Sequence, residues 1–224
     1  MQVEPIAHIH TPFPTKFGIP RQSGLVEEAT GTVVFEPAYR DPDALRGIEG
    51  FSHLWLIWGF SEAQREGFSA LVRPPRLGGN AKLGVFATRS PYRPNSLGLS
   101  SVSLLGVEKT RGKGTVLHVG GVDLMDGTPI YDVKPYIPYS DAHPDARGGF
   151  AQEADQGLLR VTCARDIIAA LGEDAAAVLH LLERDPRPAY QDDAERVYEV
   201  EYDGWSIKFS VAGSELTVKS AALL

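Results

Sequence analysis

The sequence predicts a mainly β fold (α+β overall): a barrel or folded-over sheet, extended at its C-terminus by a helix and a three-stranded meander. Three observations carry this. Short β-branched or aromatic runs recur between turn formers through the first two-thirds of the chain. Helical periodicity is almost absent there, which argues against βαβ units. After about residue 145 the pattern changes to one helical stretch and three alternating runs.

Val3 to His10 alternates loosely, and Gly31 to Glu36 (GTVVFE) is a short β-branched run. Phe51 to Phe60 (FSHLWLIWGF) is apolar on both phases, the pattern of a strand buried on both faces. Further strands are expected at Leu83–Thr88, Ser101–Val107 and Thr115–Val119. In the extension, Ile167, Ile168, Leu171, Ala175, Val178, Leu179 and Leu182 share one helical face between Arg165 and Arg184, with Gly172 as a break. Arg196–Tyr202, Trp205–Val211 and Glu215–Ser220 alternate, and the links Asp203-Gly204 and Gly213-Ser214 are short enough for hairpins. The expected division is a β domain of residues 1–145 and an extension of residues 146–224.

The chain has 224 residues with 22 basic and 29 acidic side chains, a formal charge of −7. No apolar run approaches the roughly 20 residues a membrane helix needs, so no membrane partner is expected. The N-terminal MQVEPIAHIHTPF lacks the basic start and apolar core of a signal peptide. Cys163 is the single cysteine and fits a reducing compartment. The expected location is cytoplasmic.

Against this acidic background RPPRLGGNAKLGVFATRSPYRPN, residues 73–95, holds Arg73, Arg76, Lys82, Arg89 and Arg93 and no carboxylate. No Asp or Glu occurs between Glu66 and Glu108, a window of 41 residues. Local charge of one sign focuses an anionic ligand even where net charge opposes it. Pairing of these cations with acids elsewhere in the fold is the plainer alternative.

Several enzyme classes are not indicated. There is no G-x-G-x-x-G after a strand, no Walker A sequence and no G-x-S-x-G elbow. His8 and His10 share a strand face without a nearby third ligand, so no metal is expected. Cys163 reads as a small buried residue rather than a nucleophile. Three segments combine turn formers with Arg, Lys, Tyr or Asp, the composition of rigid loops that present polar groups. They are Pro20-Arg21-Gln22 with Gly24, DLMDGTPIYDVKPYIPYSD (Asp123–Asp141) and DPRPAYQ (Asp185–Gln191).

The blocks PRQSGLV (20–26), LRGIEGFSHLWLIW (45–58), VRPPRLGGNAKLGVFATRSPYRPN (72–95), DLMDGTPIYDVKPYIPYSD (123–141) and DPRPAY (185–190) resemble the signature blocks of the TrmO, or TsaA-like (YaeB-like), family. The resemblance implies a single-sheeted β-barrel with a C-terminal extension, assembled as a homodimer. It implies an S-adenosyl-L-methionine-dependent tRNA methyltransferase. The implied substrate is N6-threonylcarbamoyladenosine beside the anticodon of threonine tRNA, methylated on N6.

Carried over by position, the resemblance places the cofactor against Pro20, Arg21, Gln22, Arg89, Leu99 and the turn Asp126-Gly127-Thr128-Pro129. The family continues its aromatic strand with Phe-His-Gln, where this chain has Phe60-Ser61-Glu62. Ser61 and Glu62 then contact the cofactor without an imidazole. The family usually has Pro where Ser96 follows Arg93-Pro94-Asn95. The attacking N6 must lose its proton, so a general base is expected, with Asp123, Asp126 and Asp132 as candidates. Arg73, Arg76, Lys82 and Arg93 are expected on RNA phosphates or the threonyl carboxylate. Tyr92, Tyr136 and Tyr139 are possible stacking surfaces for unpaired bases. Two alternatives remain open on the residues alone: a non-catalytic nucleotide- or tRNA-binding module of the same fold, and a methyltransferase acting on another adenine derivative.

Overall fold

A computed structural model describes residues 2–62, 67–74, 81–153, 157–187, 191 and 193–224. The body begins with β1 (Ala7–His10), β2 (Thr30–Phe35) and β3 (His53–Gly59), continues through a small hairpin of β4 (Leu71–Val72) and β5 (Leu83–Gly84), and ends with β6 (Leu97–Thr110), β7 (Gly114–Gly120) and β8 (Thr128–Pro135). Six of these close an antiparallel barrel in the order β1-β2-β7-β6-β3-β8. Period-two alternation decides which side chains fill it. Ala7 and Ile9, Val33 and Phe35, Leu54, Leu56 and Trp58, Val102, Leu117 and Val119, and Ile130 are all buried.

β6 serves two neighbours. Leu97–Ser103 pair with β3, and Ser103–Thr110 pair with β7 across a bulge between Leu104 and Gly106. A bulge bends a strand and raises its twist, which lets one strand turn the corner of a small barrel.

Two expected strands are corrected. Only Leu83–Gly84 of the Leu83–Thr88 run pairs, and Val85–Ala87 forms a 3₁₀ turn. β3 is fully buried on one face only: the opposite side is half-buried beneath Tyr136, whose ring lies 5.5 Å from that of Trp55. β8 falls in a segment read above as loop. Its Pro129 and Pro135 sit at the two ends of the strand, where the missing N–H costs least.

Helices α1 (Pro138–Asp141) and α2 (Phe150–Glu153) lead to the extension. There β9 (Arg160–Thr162) precedes α3 (Arg165–Leu171) and α4 (Ala175–Glu183), with Gly172 at φ +58° separating the two helices. The meander β10 (Tyr198–Tyr202), β11 (Trp205–Ala212) and β12 (Glu215–Leu223) forms, and β9 adds a parallel edge strand to make a four-stranded sheet. Among the described residues, no helix is long and apolar enough to cross a membrane.

The extension packs onto the barrel through one continuous core. Phe13 meets Tyr202 edge to face at 5.5 Å, and the Asp203 N–H donates to the Pro12 carbonyl at 2.9 Å. His180 of α4 pairs with Glu28 ahead of β2 at 2.9 Å. The hydrogen bond to Glu28 raises the His180 pKa, and the same bond lowers that of Glu28. The imidazolium's share of stability is therefore present below the ordinary histidine range and lost as pH rises through the raised value. The carboxylate's share is lost as pH falls through its lowered value. Glu28→Gln is expected to lower the His180 titration midpoint toward the ordinary imidazole value, as read by NMR of the ring protons.

Candidate active site

One end of the barrel opens into a cavity of about 560 Å³. Its walls come from the Lys16–Gln22 loop, the end of β3 from Trp58 to Glu62, the Thr88–Arg93 loop, the start of β6 at Leu97–Leu99, and the link into β8 at Asp123–Met125 with Thr128. In an antiparallel barrel the C-terminal ends of β1 and β3 and the N-terminal ends of β6 and β8 lie on the same rim. Segments far apart in sequence therefore meet there.

A buried polar relay runs into this cavity. The Trp58 indole N–H donates to Ser100 Oγ at 2.9 Å, and the Ser100 hydroxyl donates to Asp123 Oδ1 at 2.6 Å. Trp58 and Gly98 face each other across β3 and β6. A Cβ on Gly98 would stand 2.2 Å from the indole, so any side chain there would displace the donor that begins the relay. Burial raises the Asp123 pKa to about 6, against the opposing pull of the Ser100 hydrogen bond and the Arg89 charge. A carboxylate with that value is a base poised near neutral pH.

Lys16, Arg21, Arg89 and Arg93 also line the cavity. Arg89 donates to the Gln22 side-chain oxygen, and the Gln22 amide donates to the Arg21 carbonyl, which ties the basic loop to the Pro20-Arg21-Gln22 loop. Lys16 donates to the Glu62 carbonyl. Arg21 donates to the carbonyls of Asp185 and Arg187 at 2.8 and 3.0 Å. The Asp185-Arg187 segment thus folds back onto the barrel of its own chain. Its geometry is held by a bidentate pair, Arg187 Nε to Asp185 Oδ1 at 2.9 Å and Nη2 to Oδ2 at 3.0 Å, with Arg187 only 8% exposed.

Of the candidate residues, Pro20, Arg21, Gln22, Ser61, Glu62, Arg89, Arg93, Leu99, Asp123 and Thr128 line this cavity. Asp126, Gly127, Pro129 and Asp132 are not among its lining residues. The Asp126 carboxylate accepts the Thr11 N–H at 3.1 Å and faces His10 Nδ1 at 3.2 Å. Asp132 pairs with Lys134 at 3.0 Å on β8. Arg93 donates to the Thr88 and Val85 carbonyls at 2.7 and 3.5 Å, so its guanidinium staples the loop that presents Arg89. Arg73 and Lys82 are exposed at the open ends of β4 and β5. Arg76 and residues 188–190 lie outside the described residues. Tyr136 packs on Trp55, Tyr139 is 92% exposed, and Tyr92 stands at the exposed rim. Among the described residues, no three His, Cys, Asp or Glu side chains converge as for a metal.

Sequence reasoning missed Lys16, Trp58 and Ser100. Alternation along β3 and β6 puts Trp58 and Ser100 on inner faces. Their meeting depends on a cross-strand register that no local pattern reveals.

Comparison with known proteins agrees along the whole chain. The tRNA-methyltransferase O N-terminal domain model matches residues 8–142, and the TrmO C-terminal domain model matches residues 158–222. A tRNA (adenine(37)-N6)-methyltransferase of Escherichia coli K12 is 38% identical over 226 residues, covering 97% of this chain and 96% of the relative. A Pseudomonas aeruginosa relative named as an S-adenosylmethionine-dependent methyltransferase is 43% identical over 196 residues, 84% of this chain and 83% of its own. A crystal structure of TrmO from Pseudomonas aeruginosa superimposes with a TM-score of 0.80 at 33% identity, covering 99% of this chain and 98% of that one. The chain belongs to the TrmO family of tRNA methyltransferases.

Proposed function

We propose that this tRNA (adenine-N6) methyltransferase acts on N6-threonylcarbamoyladenosine beside the anticodon of threonine tRNA, with Asp123 as the general base. The observation that carries the reading is the Asp123 carboxylate, held by Ser100 in a cavity wall and raised by burial to about 6. The residues present fit S-adenosyl-L-methionine. A cavity of about 560 Å³ lies within the roughly 300–1,000 Å³ usual for cofactor sites. Trp58, Phe60, Leu97, Leu99, Leu124 and Met125 supply apolar walls, and Lys16, Arg21 and Arg89 offer partners for the amino-acid carboxylate.

When bound, the donor supplies an electrophilic methyl group on a positively charged sulfur. The protein's share is to position and to move one proton. Desolvation would keep Asp123 basic enough to accept the proton that the attacking N6 gives up as its bond to the methyl carbon forms and the sulfur–carbon bond breaks. Among the described residues two carboxylates, Glu62 and Asp123, line the cavity, so the sulfonium is not over-stabilised before its charge disappears. Thr128 and the backbone of the Asp126–Pro129 turn support the donor's wall, while the Asp126 side chain holds the turn itself. Arg73 and Lys82 reach RNA phosphates from the hairpin beside the site, and the half-buried Tyr136 and the exposed Tyr139 offer stacking faces. A homodimer belongs to the same proposal: Phe68, Phe86, Leu97 and Leu99 are 62%, 69%, 40% and 55% exposed next to the cavity.

Incubation with S-adenosyl-L-methionine and threonine tRNA carrying the threonylcarbamoyl group, followed by nucleoside mass spectrometry, is expected to show one added methyl group on that nucleoside. Its absence beside an active control enzyme refutes the reading. Asp123→Asn keeps the Ser100 hydrogen-bond acceptor but loses the base, so single-turnover transfer should slow by about 10²–10⁴-fold. The same substitution should stabilise the fold. A carboxyl whose folded pKa is raised holds its proton longer when folded, so stability falls as pH climbs from about 4 to about 6 and stays lower above that. A neutral amide removes this deficit, and its thermal midpoint at pH 7.5 should exceed that of the wild type.

A further inference from the structure

We infer that a second cavity, adjoining the first, is the pocket for the unpaired RNA adenine whose N6 is methylated, an assignment that rests on the first cavity being the donor's. The second cavity measures about 810 Å³ and shares Gly59, Phe60, Ser61, Arg93 and Leu97 with the first. Its remaining walls include Phe68, Tyr92, Tyr131 and Asn95. Among the described residues no carboxylate lines it and Arg93 is the charged side chain on its walls, which suits a base carried on a polyanion.

The aromatic wall is set by the backbone. Ile57 pairs with Asp132 and Trp58 pairs with Ile130, so Tyr131 is the extra residue of a β-bulge. Bulges re-aim side chains, and this one lays the Tyr131 ring over Gly59. A Cβ on Gly59 would come within 2.7 Å of that ring, so only glycine lets the tyrosine lie there. Gly59 is also a wall of the first cavity, which puts the ring directly behind the donor site. Single-stranded RNA is read by stacking bases on aromatic rings and by hydrogen bonds to their exposed edges. Tyr131 and Tyr92 offer the rings, and the exposed Asn95 amide carries an N–H donor for an adenine ring nitrogen. An adenine stacked there holds its exocyclic nitrogen at the Gly59–Ser61 rim that the two cavities share, with Asp123 lining the first.

The test measures affinity for a fluorescein-labelled anticodon stem-loop RNA by anisotropy, and donor affinity by calorimetry. Tyr131→Leu and Asn95→Ala should each weaken RNA binding about tenfold. Tyr131→Phe should stay within about twofold of wild type, since the stacking face remains. Donor affinity should be unchanged in all three. Unchanged RNA affinity in both Tyr131→Leu and Asn95→Ala overturns the assignment, as does a shift in dimerisation alone. Parallel loss of donor and RNA affinity also overturns it, because the wall has then collapsed. Weakened RNA binding in a protein whose wild type binds no donor upholds the base pocket and sinks the donor reading instead.

Discussion

The seam that closes the barrel is short, and the active cavity depends on it. Only Ala7, His8 and Ile9 pair across to Ile130, Pro129 and Thr128. Pro129 can give no N–H to either neighbour, so the turn before β8 carries much of the closure. There the Gly127 N–H donates to Ile9, the Asp126 N–H donates to Phe13, and the Asp126 carboxylate takes the Thr11 N–H. These bonds fix the Asp123–Thr128 link against the rim of the barrel. With the link fixed, Asp123 lies where Ser100 can reach it, and the relay from Trp58 is complete. Asp126 thus has an architectural task, and of the three candidate aspartates Asp123 is the one that lines the cavity.

The extension is coupled to the same rim by several separate contacts. Phe13 precedes the cavity loop and packs on Tyr202, Glu28 pairs with His180, and Arg21 is held by two carbonyls of the Asp185–Arg187 segment. The last contact spends part of a cavity cation on the chain's own backbone. In exchange, the long Arg21 side chain has a defined position before any ligand arrives, and preorganised charge costs less to use at the moment of reaction. Arg93 is used in the same way, as a staple on the loop that presents Arg89. The basic stretch therefore divides by position: Arg89 and Arg93 line the cavity, Arg93 also holding the loop's shape, and Arg73 and Lys82 lie on the exposed hairpin.

Much of this was legible in the sequence because local pattern carries local structure. The β-branched run GTVVFE marked β2, period-two alternation in the three C-terminal strands marked the meander, and Gly172 marked the break between α3 and α4. β8 was not legible. Two prolines, an aspartate and a lysine disguise it as loop, and only pairing with β1 on one side and β3 on the other makes it a strand. The site was half-legible for a similar reason. Family blocks brought together the two arginine loops and the β8 turn, but they left three aspartates equivalent. Burial distinguishes them, and burial follows from register, which no single strand encodes. Lys16 had no motif at all.

The central claim is that desolvation inside the barrel rim keeps Asp123 basic near neutral pH. The most direct test is a titration of its side-chain carboxyl by carbon-13 NMR, assigned by the signal lost in the Asp123→Asn protein. The account predicts a midpoint of about 6. A midpoint near the ordinary aspartate value of about 3.9 would contradict it, because the carboxylate would then be too weak a base for the role.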